Sequence, residues 1–202
     1  MALITAAEAR ELNPSLTGTG DDTLIGTLIT AVGRAFARHC GYPAASVGGN
    51  ATMESATYTR YYDGPGGREL TLDVWPVTAI TSIEDDVTRD FDGSTYLVTS
   101  TDYAIREGAR GLVLLKATAT HGAWGTGSGV IKAVYTAGYS TVPDDLKQLA
   151  KQAVKHWYDL RTSQGKASTS QGSTTISLRD EDLLPALVQQ GLSRYRLPRA
   201  WL

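Results

Sequence analysis

The residues of this 202-residue chain best suited to chemistry are three histidines, one cysteine, an acidic loop and a glycine-rich loop. Their spacing argues against each chemistry in turn. His39, His121 and His156 stand apart, with no second ligand at metal-binding spacing and no serine in a strand-turn-helix elbow. His39 and His156 fall near the ends of expected helices, where a satisfied or solvated imidazole is the ordinary outcome. Cys40 is the single cysteine, which excludes an intramolecular disulfide and a cysteine-based zinc site, and its place beside Gly41 reads as a small buried side chain with no redox role. Asp85, Asp86, Asp90 and Asp92 before Gly93 have the composition of a calcium loop without its ligand order or its closing glutamate. They read as a solvated hairpin loop. Gly125-Thr126-Gly127-Ser128-Gly129 has the glycines of a phosphate loop but precedes a strand instead of opening a helix, so it reads as a turn. No catalytic, cofactor-binding or metal-binding residue is assigned, and the chain is expected not to be an enzyme.

Aromatic residues offer a different chemistry. Tyr58, Tyr61, Tyr62, Trp75, Tyr96, Tyr103 and Trp124 gather in one stretch, and on a β-sandwich surface such rings stack on sugars. Tyrosine is also favoured in strands and at subunit contacts. A carbohydrate-binding module therefore stands as the alternative from another class, though it leaves the helices on both sides unexplained.

Composition sets the frame. At 42% hydrophobic residues the chain has enough apolar side chain for a core of one large or two small domains. No apolar run approaches the roughly 20 residues that cross a bilayer. The first residues, Met1 to Ile4, lack the basic and apolar regions of a secretory signal, so synthesis in the cytoplasm is expected. A net charge of −2 argues against a protein whose main task is gripping nucleic acid.

The elements follow from periodicity. Thr5 and Glu8 make a capping box, Asp21 or Asp22 is placed to cap a second helix, and Leu24, Leu28, Ala31, Val32, Ala35 and Phe36 form an apolar stripe on it up to Gly41. From about Thr57 to Thr136 the pattern is β, with runs at 68–74, 77–83, 95–98, 103–106, 111–118 and 130–135, the last alternating in a way that suits burial on both faces. Pro143 then fits a first helical turn, Asp144 and Asp145 stand at the positive helix end, and Leu146, Leu149, Ala150, Ala153, Val154, Trp157 and Leu160 repeat at helical spacing. Residues 163–173 are Ser, Thr, Gln and Gly apart from Lys166 and Ala167, a composition that reads as a flexible linker.

Beyond it lies an apolar arm. Leu183, Leu184, Leu187, Leu192, Tyr195, Leu197 and Trp201 are spread along it, with Pro185 able to start a short helix that Gly191 would end. Burying one leucine is worth about 1.5–3 kcal/mol, and ordering each residue costs about 1–2 kcal/mol, so the arm needs a second surface. That surface is its own helical domain or a neighbouring molecule, and the polar stretch before it favours the neighbour. Arg194, Arg196 and Arg199 would suit an acidic partner. The fold class is therefore α+β: a helical bundle of the N-terminal helices and the helix from about Pro143, an inserted small antiparallel β-sandwich or barrel-like region, and a C-terminal extended arm. The boundaries read as 1–56, 57–136, 137–164 and 165–202.

Three motifs together resemble a known family. A strand ending Tyr135-x-Ala137-Gly138-Tyr139 leads through Val142-Pro143-Asp144-Asp145-Leu146-Lys147 into a helix ending Trp157-Tyr158-x-Leu160-Arg161. The opening Met1–Arg10, followed by Asp21-Asp22-Thr23-Leu24-Ile25 and a helix to Gly41-Tyr42, is the second. Leu70–Ile83, with its Pro76-Val77-x-x-Ile80-x-x-Ile83 core, is the third. In this order they resemble the head-tail connector, or adaptor, proteins of long-tailed bacteriophages and gene transfer agents. The resemblance implies a twelve-fold ring beneath the portal, an extended DNA channel without sequence-specific contacts, and a C-terminal segment reaching the portal. It further implies contacts with neighbouring copies and with a tail-side stopper or completion protein, in the virion neck. A stopper or tail terminator is the nearer alternative. The β region is longer than in the smallest members, and its loops at 63–67, 85–93 and 121–129 are expected to face neighbours or the tail.

Overall fold

The computed structural model describes residues 3–12, 20–93, 96–161, 168–171, 174–177 and 184–197. They form α1 (Ala6–Arg10), α2 (Asp22–Cys40), β1 (Ala56–Pro65), β2 (Glu69–Thr71), β3 (Val77–Asp85), β4 (Tyr103–Glu107), β5 (Leu112–Leu115), β6 (Thr126–Ala137), α3 (Asp144–Leu160), β7 (Ser168–Gln171), β8 (Thr174–Ser177) and α4 (Ala186–Leu192). Two compact units result. One takes the described residues of Met1–Cys40 and Thr141–Arg196, the other those of Gly41–Ser140 with Leu197. Among the described residues no helix is long and apolar enough to cross a membrane.

In the helical unit, α1 opens on the expected capping box: Glu8 N donates to Thr5 Oγ1 at 3.2 Å, and Thr5 N donates to Glu8 Oε2 at 2.7 Å. On α2 the buried residues are Ile25, Ile29, Val32, Phe36, Ala37 and Cys40, a face turned from the expected Leu24–Leu28 stripe. Both sets have helical spacing, so the periodicity fits either face, and the β-branched pair faces the core while Leu24 is partly exposed. Asp21 stands at the expected cap position, its carbonyl accepting Ile25 N at 2.8 Å, and both aspartates also make side-chain contacts. Asp21 accepts the Tyr158 hydroxyl at 2.5 Å, and Asp22 pairs with Arg10. On α3, Leu146, Ala150, Ala153, Val154 and Tyr158 are buried, with Pro143 at the N-cap instead of inside the first turn. Lys147 and Lys151 reach Glu8 and Glu11, so the basic side of α3 ties down the N-terminal segment.

The β unit holds two three-stranded antiparallel sheets, in orders β1-β6-β3 and β2-β5-β4, and no closed barrel. The expected barrel-like closure is thus not found. Three strands are too few, and β2 spans only Glu69–Thr71 where the pattern gave 68–74. The 95–98 run supplies only an isolated bridge, Leu97 to Glu84. β6 is the central strand of its sheet. Ile131, Ala133, Tyr135 and Ala137 are buried on one face, whereas Lys132, Val134 and Thr136 are half-buried on the other. Burial on both faces fails because Lys132 needs an ion partner, which it finds in Glu84 at 2.8 Å.

Within the stretch expected as a linker, β7 pairs antiparallel with β8 from Ser168↔Ser177 to Gln171↔Thr174. Threonine and isoleucine favour extended backbone, and that local preference is what composition alone concealed.

Candidate functional site

No catalytic constellation assembles among the described residues, and no group of three or more His, Cys, Asp or Glu side chains could hold a metal there. Two surface regions carry the polar detail of the molecule, one in each unit.

The first is the loop end of the β unit, where the three loops singled out in the sequence meet. Gly125 N donates to Asp85 Oδ2 at 2.7 Å, Gly66 N donates to Gly125 O at 3.3 Å, and Trp124 N donates to Gly67 O at 2.8 Å. The approach of 64 to 125 requires glycine: a Cβ on Gly64 would stand 2.1 Å from Gly125 O. Ser128 Oγ and Gly129 N both donate to Asp63 Oδ1 at 2.8 Å, which holds the Asp63 carboxyl below its usual range. The glycine-rich segment is therefore mostly the bulged start of β6, not a separate turn.

Asp86 organises the neighbouring loop. It is buried, and its oxygens accept from Thr88 N at 2.8 Å, Thr88 Oγ1 at 2.6 Å, Asp90 N at 2.7 Å and Phe91 N at 2.9 Å. Burial alone would raise its pKa, but these donors outweigh burial and lower it to about 2. Those bonds stabilise the left-handed backbone at Arg89 and Phe91. The loop is thus a folded feature where the sequence suggested a solvated one. Its exposed apolar residue is Val87.

The aromatic cluster is largely interior. Tyr58, Tyr103 and Trp124 are buried, Trp75 and Tyr96 half-buried, and Tyr61 is exposed but packs edge-on against Phe91 at 5.2 Å. Both the Tyr62 and the Tyr135 hydroxyl lie within donating distance of Asp73 Oδ1, at 2.5 and 2.8 Å, and the two hydroxyl oxygens lie 2.8 Å apart, a triangle of oxygens held by two hydrogens. Burial first raises both phenol pKa values; at Tyr62 the Tyr135 hydroxyl and Asp73 add to the rise, whereas at Tyr135 Asp73 adds to it and the bond from Tyr62 opposes it. One exposed ring makes no sugar-stacking platform.

The second region is the C-terminal segment on the helical unit. Leu184, Val188 and Leu192 are buried against it, and α4 starts after Pro185 as expected. Gly191 does not end α4 but lies within it, where a Cβ would meet Leu149 Cδ2 at 2.7 Å. Cys40 Sγ donates to Leu192 O at 3.6 Å, and burial pushes that thiol up to about 12. Tyr195 Oη donates to Asp145 Oδ1 at 2.5 Å. Arg196 Nη2 lies 2.9 Å from His39 Nε2, and since a guanidinium only donates, the imidazole accepts. Burial first, then Arg196, lowers the His39 pKa, with the Gln189 backbone carbonyl opposing them.

Of the ten arm residues chosen from the sequence, Leu184, Leu192 and Leu197 are buried within the chain, while Leu187, Arg194 and Arg196 are exposed and Tyr195 half-buried. Leu183, Arg199 and Trp201 lie outside the described residues. The described part of the arm thus packs on its own chain, contrary to the preference for a neighbour. Helical spacing at Leu184, Val188 and Leu192 was the readable signal.

Comparison with known proteins completes the site. A family model described as "Head completion protein" matches residues 2–197. Among solved structures, a chain in the neck of an empty gene transfer agent particle, computed with C6 symmetry, has a similar fold. The TM-score is 0.57 at 16% identity, over 98% of this chain and 92% of that one. No curated protein matches the sequence.

Proposed function

This chain belongs to the head completion protein family, and from that premise we propose that it is a head-tail connector that forms a ring beneath the portal of a tailed particle. It is a structural virion protein of the neck. The ring, twelve-fold to match its template, lengthens the DNA channel and offers a platform to a stopper or tail completion protein. Closure requires a heterologous interface, in which one face of a copy meets a different face of the next. DNA passes without sequence-specific grip, in keeping with the net charge of −2.

The observation that carries this reading is the family match over residues 2–197, which spans both units and the C-terminal segment. The portal-side contact is assigned to the outward residues of that segment, Leu187, Arg194 and Arg196, with Leu183, Arg199 and Trp201 as further candidates. Leu184 and Leu192 hold the segment against the helices. The loops at 63–67, 85–93 and 121–129 serve the tail side, where their internal hydrogen bonds hold one shape for a partner to read.

Co-sedimentation with portal-bearing capsids of its own particle tests the reading. Saturating binding at one fixed stoichiometry, reduced by Leu187→Glu with Arg194→Glu, is the expected result. Binding to isolated tails alone would replace it with a tail terminator, and binding to neither would remove its support. Point substitutions are preferable to truncation before α4, because truncation would strip the cover from Leu149 and Cys40.

A further inference from the structure

The cations of the helical unit fall into two groups. Arg10 pairs with Asp22, Lys147 with Glu8, Lys151 with Glu11 and Lys155 with Asp159, and Arg161 stacks over the Tyr158 ring at 3.3 Å. Arg34, Arg38 and Arg194 are exposed and make no ion pair among the described residues. These three are not scattered. Arg34 and Arg38 lie one turn apart at the end of α2, and Arg196, bonded to His39, anchors the C-terminal segment beside them. Arg194 is two residues from Arg196 and two from Leu192, whose carbonyl accepts from Cys40. Asp145 accepts from Tyr195 and from Leu146 N and makes no ion pair with these arginines.

We infer that the end of α2 and the outward side of α4 form one docking surface for a carboxylate-rich protein face, in which Arg34 and Arg38 extend the contact through Arg194 and Arg196. This rests on the connector reading and names the chemistry of its portal-side partner. The guanidinium fork fits carboxylate in two parallel hydrogen bonds. Carboxylate of a protein, not phosphate of DNA, is favoured by what surrounds the arginines. Leu187 is 75% exposed, and Arg194, seven residues on in the turn that follows α4, is exposed too. An exposed leucine flanked by arginine is the composition of a protein interface. Next to Arg34, the Thr27 and Thr30 hydroxyls donate to the carbonyls of Thr23 and Gly26, both at 2.9 Å, so their hydrogens are spent within the helix and not offered to phosphate.

The experiment compares the full chain with Arg34→Gln/Arg38→Gln and Arg34→Glu/Arg38→Glu. Each is titrated onto portal-bearing capsids at low and high salt, onto linear duplex DNA, and alone by analytical ultracentrifugation. Both pairs are solvent-exposed, so melting curves should match wild type, and the milder glutamine pair carries the test if the glutamate pair unfolds. The expected result is capsid binding weakened about tenfold by the glutamine pair and further by the glutamate pair, the differences shrinking as salt screens the charges. Equal binding by wild type and both variants would overturn the inference while leaving the connector reading in place. Wild type failing to bind capsids would instead remove that reading, and this inference with it. DNA binding lost on the same substitutions would make the surface a nucleic-acid face, and a changed self-association would make it an interface between copies. Either would overturn the proposal.

Discussion

The loop end of the β unit and the α2–α4 edge of the helical unit treat charge in opposite ways. At the loop end, Asp63, Asp85 and Asp86 are each engaged by backbone N–H groups of their own unit, and Glu84 by Lys132 and Gly93 N. At the α2–α4 edge, Arg34, Arg38 and Arg194 are left without ion partners among the described residues. Groups satisfied internally fix the shape of a surface, because removing any one releases the loop N–H groups it holds. Groups left over fix its affinity for something else. Substitutions should therefore separate cleanly: stability at one end, association at the other.

The largest effect should come from the backbone of the β unit. Gly138 has φ +102, and a Cβ there would stand 2.4 Å from Glu54 O and 2.9 Å from Met53 O. Neither neighbour is a flexible side chain, so Gly138→Ala should cost roughly 3 kcal/mol or more, read as a lowered denaturation midpoint. An unchanged midpoint would mean that the strand end is looser than this contact requires. Leu192→Ala should cost about 3 kcal/mol, since Leu192 is fully buried.

Acid probes the engaged carboxylates next. Asp86 has its pKa lowered to about 2, below the 3.8 of a free aspartate. Its contribution is therefore fully present above pH about 4 and lost as pH falls toward 2. Asp86→Asn should lower the midpoint at neutral pH and flatten its fall across that window. If the fall in Asp86→Asn matched wild type, other carboxylates would be responsible.

The elements of the helical unit were the most legible in the sequence, because their signals are local. The Thr5–Glu8 cap, the Gly41 stop and the α3 repeat each depend on residues within one or two turns. What escaped was set by distant residues. The buried face of α2 depends on which side meets α3, where Tyr158 reaches Asp21 137 positions away. β1 went unnamed as a run although it pairs with β6 through Tyr58↔Tyr135 and its neighbours, because Thr57–Tyr62 mixes tyrosine with arginine and threonine. Gly191 reads as a helix stop but lies within α4, close against the Leu149 side chain. The arm followed the same rule: a polar stretch before it suggested a partner, while Cys40 and His39, about 150 residues earlier, provide its seat.

His39 gives a smaller, pH-dependent effect. Its pKa is lowered in the folded chain, so the neutral form is favoured. The stabilisation it lends is complete above the 6.5 of a free imidazole and is lost as pH falls through the lowered value. A protonated ring has no lone pair for Arg196. Amide exchange in α4, corrected for the intrinsic rate at each pH, should therefore quicken as pH falls from 7 to 5 in wild type and change less in His39→Gln, whose side-chain oxygen accepts at any pH. Equal quickening in both would exclude His39 as the cause.

Within α4 the comparison reaches single residues. Leu187 and Leu192 share a helix, a side-chain type and a few ångströms of chain, yet one is 75% exposed and the other fully buried. Leu187→Ser should leave the denaturation midpoint within about 0.5 kcal/mol of wild type, because its side chain is already in water. If Leu187 belongs to a docking surface, the same substitution should weaken capsid binding several-fold, and by the same factor at low and high salt, since apolar burial is not screened. A loss that shrinks with salt would mean that the leucine acts through its arginine neighbours, and no loss at all would confine the surface to charge.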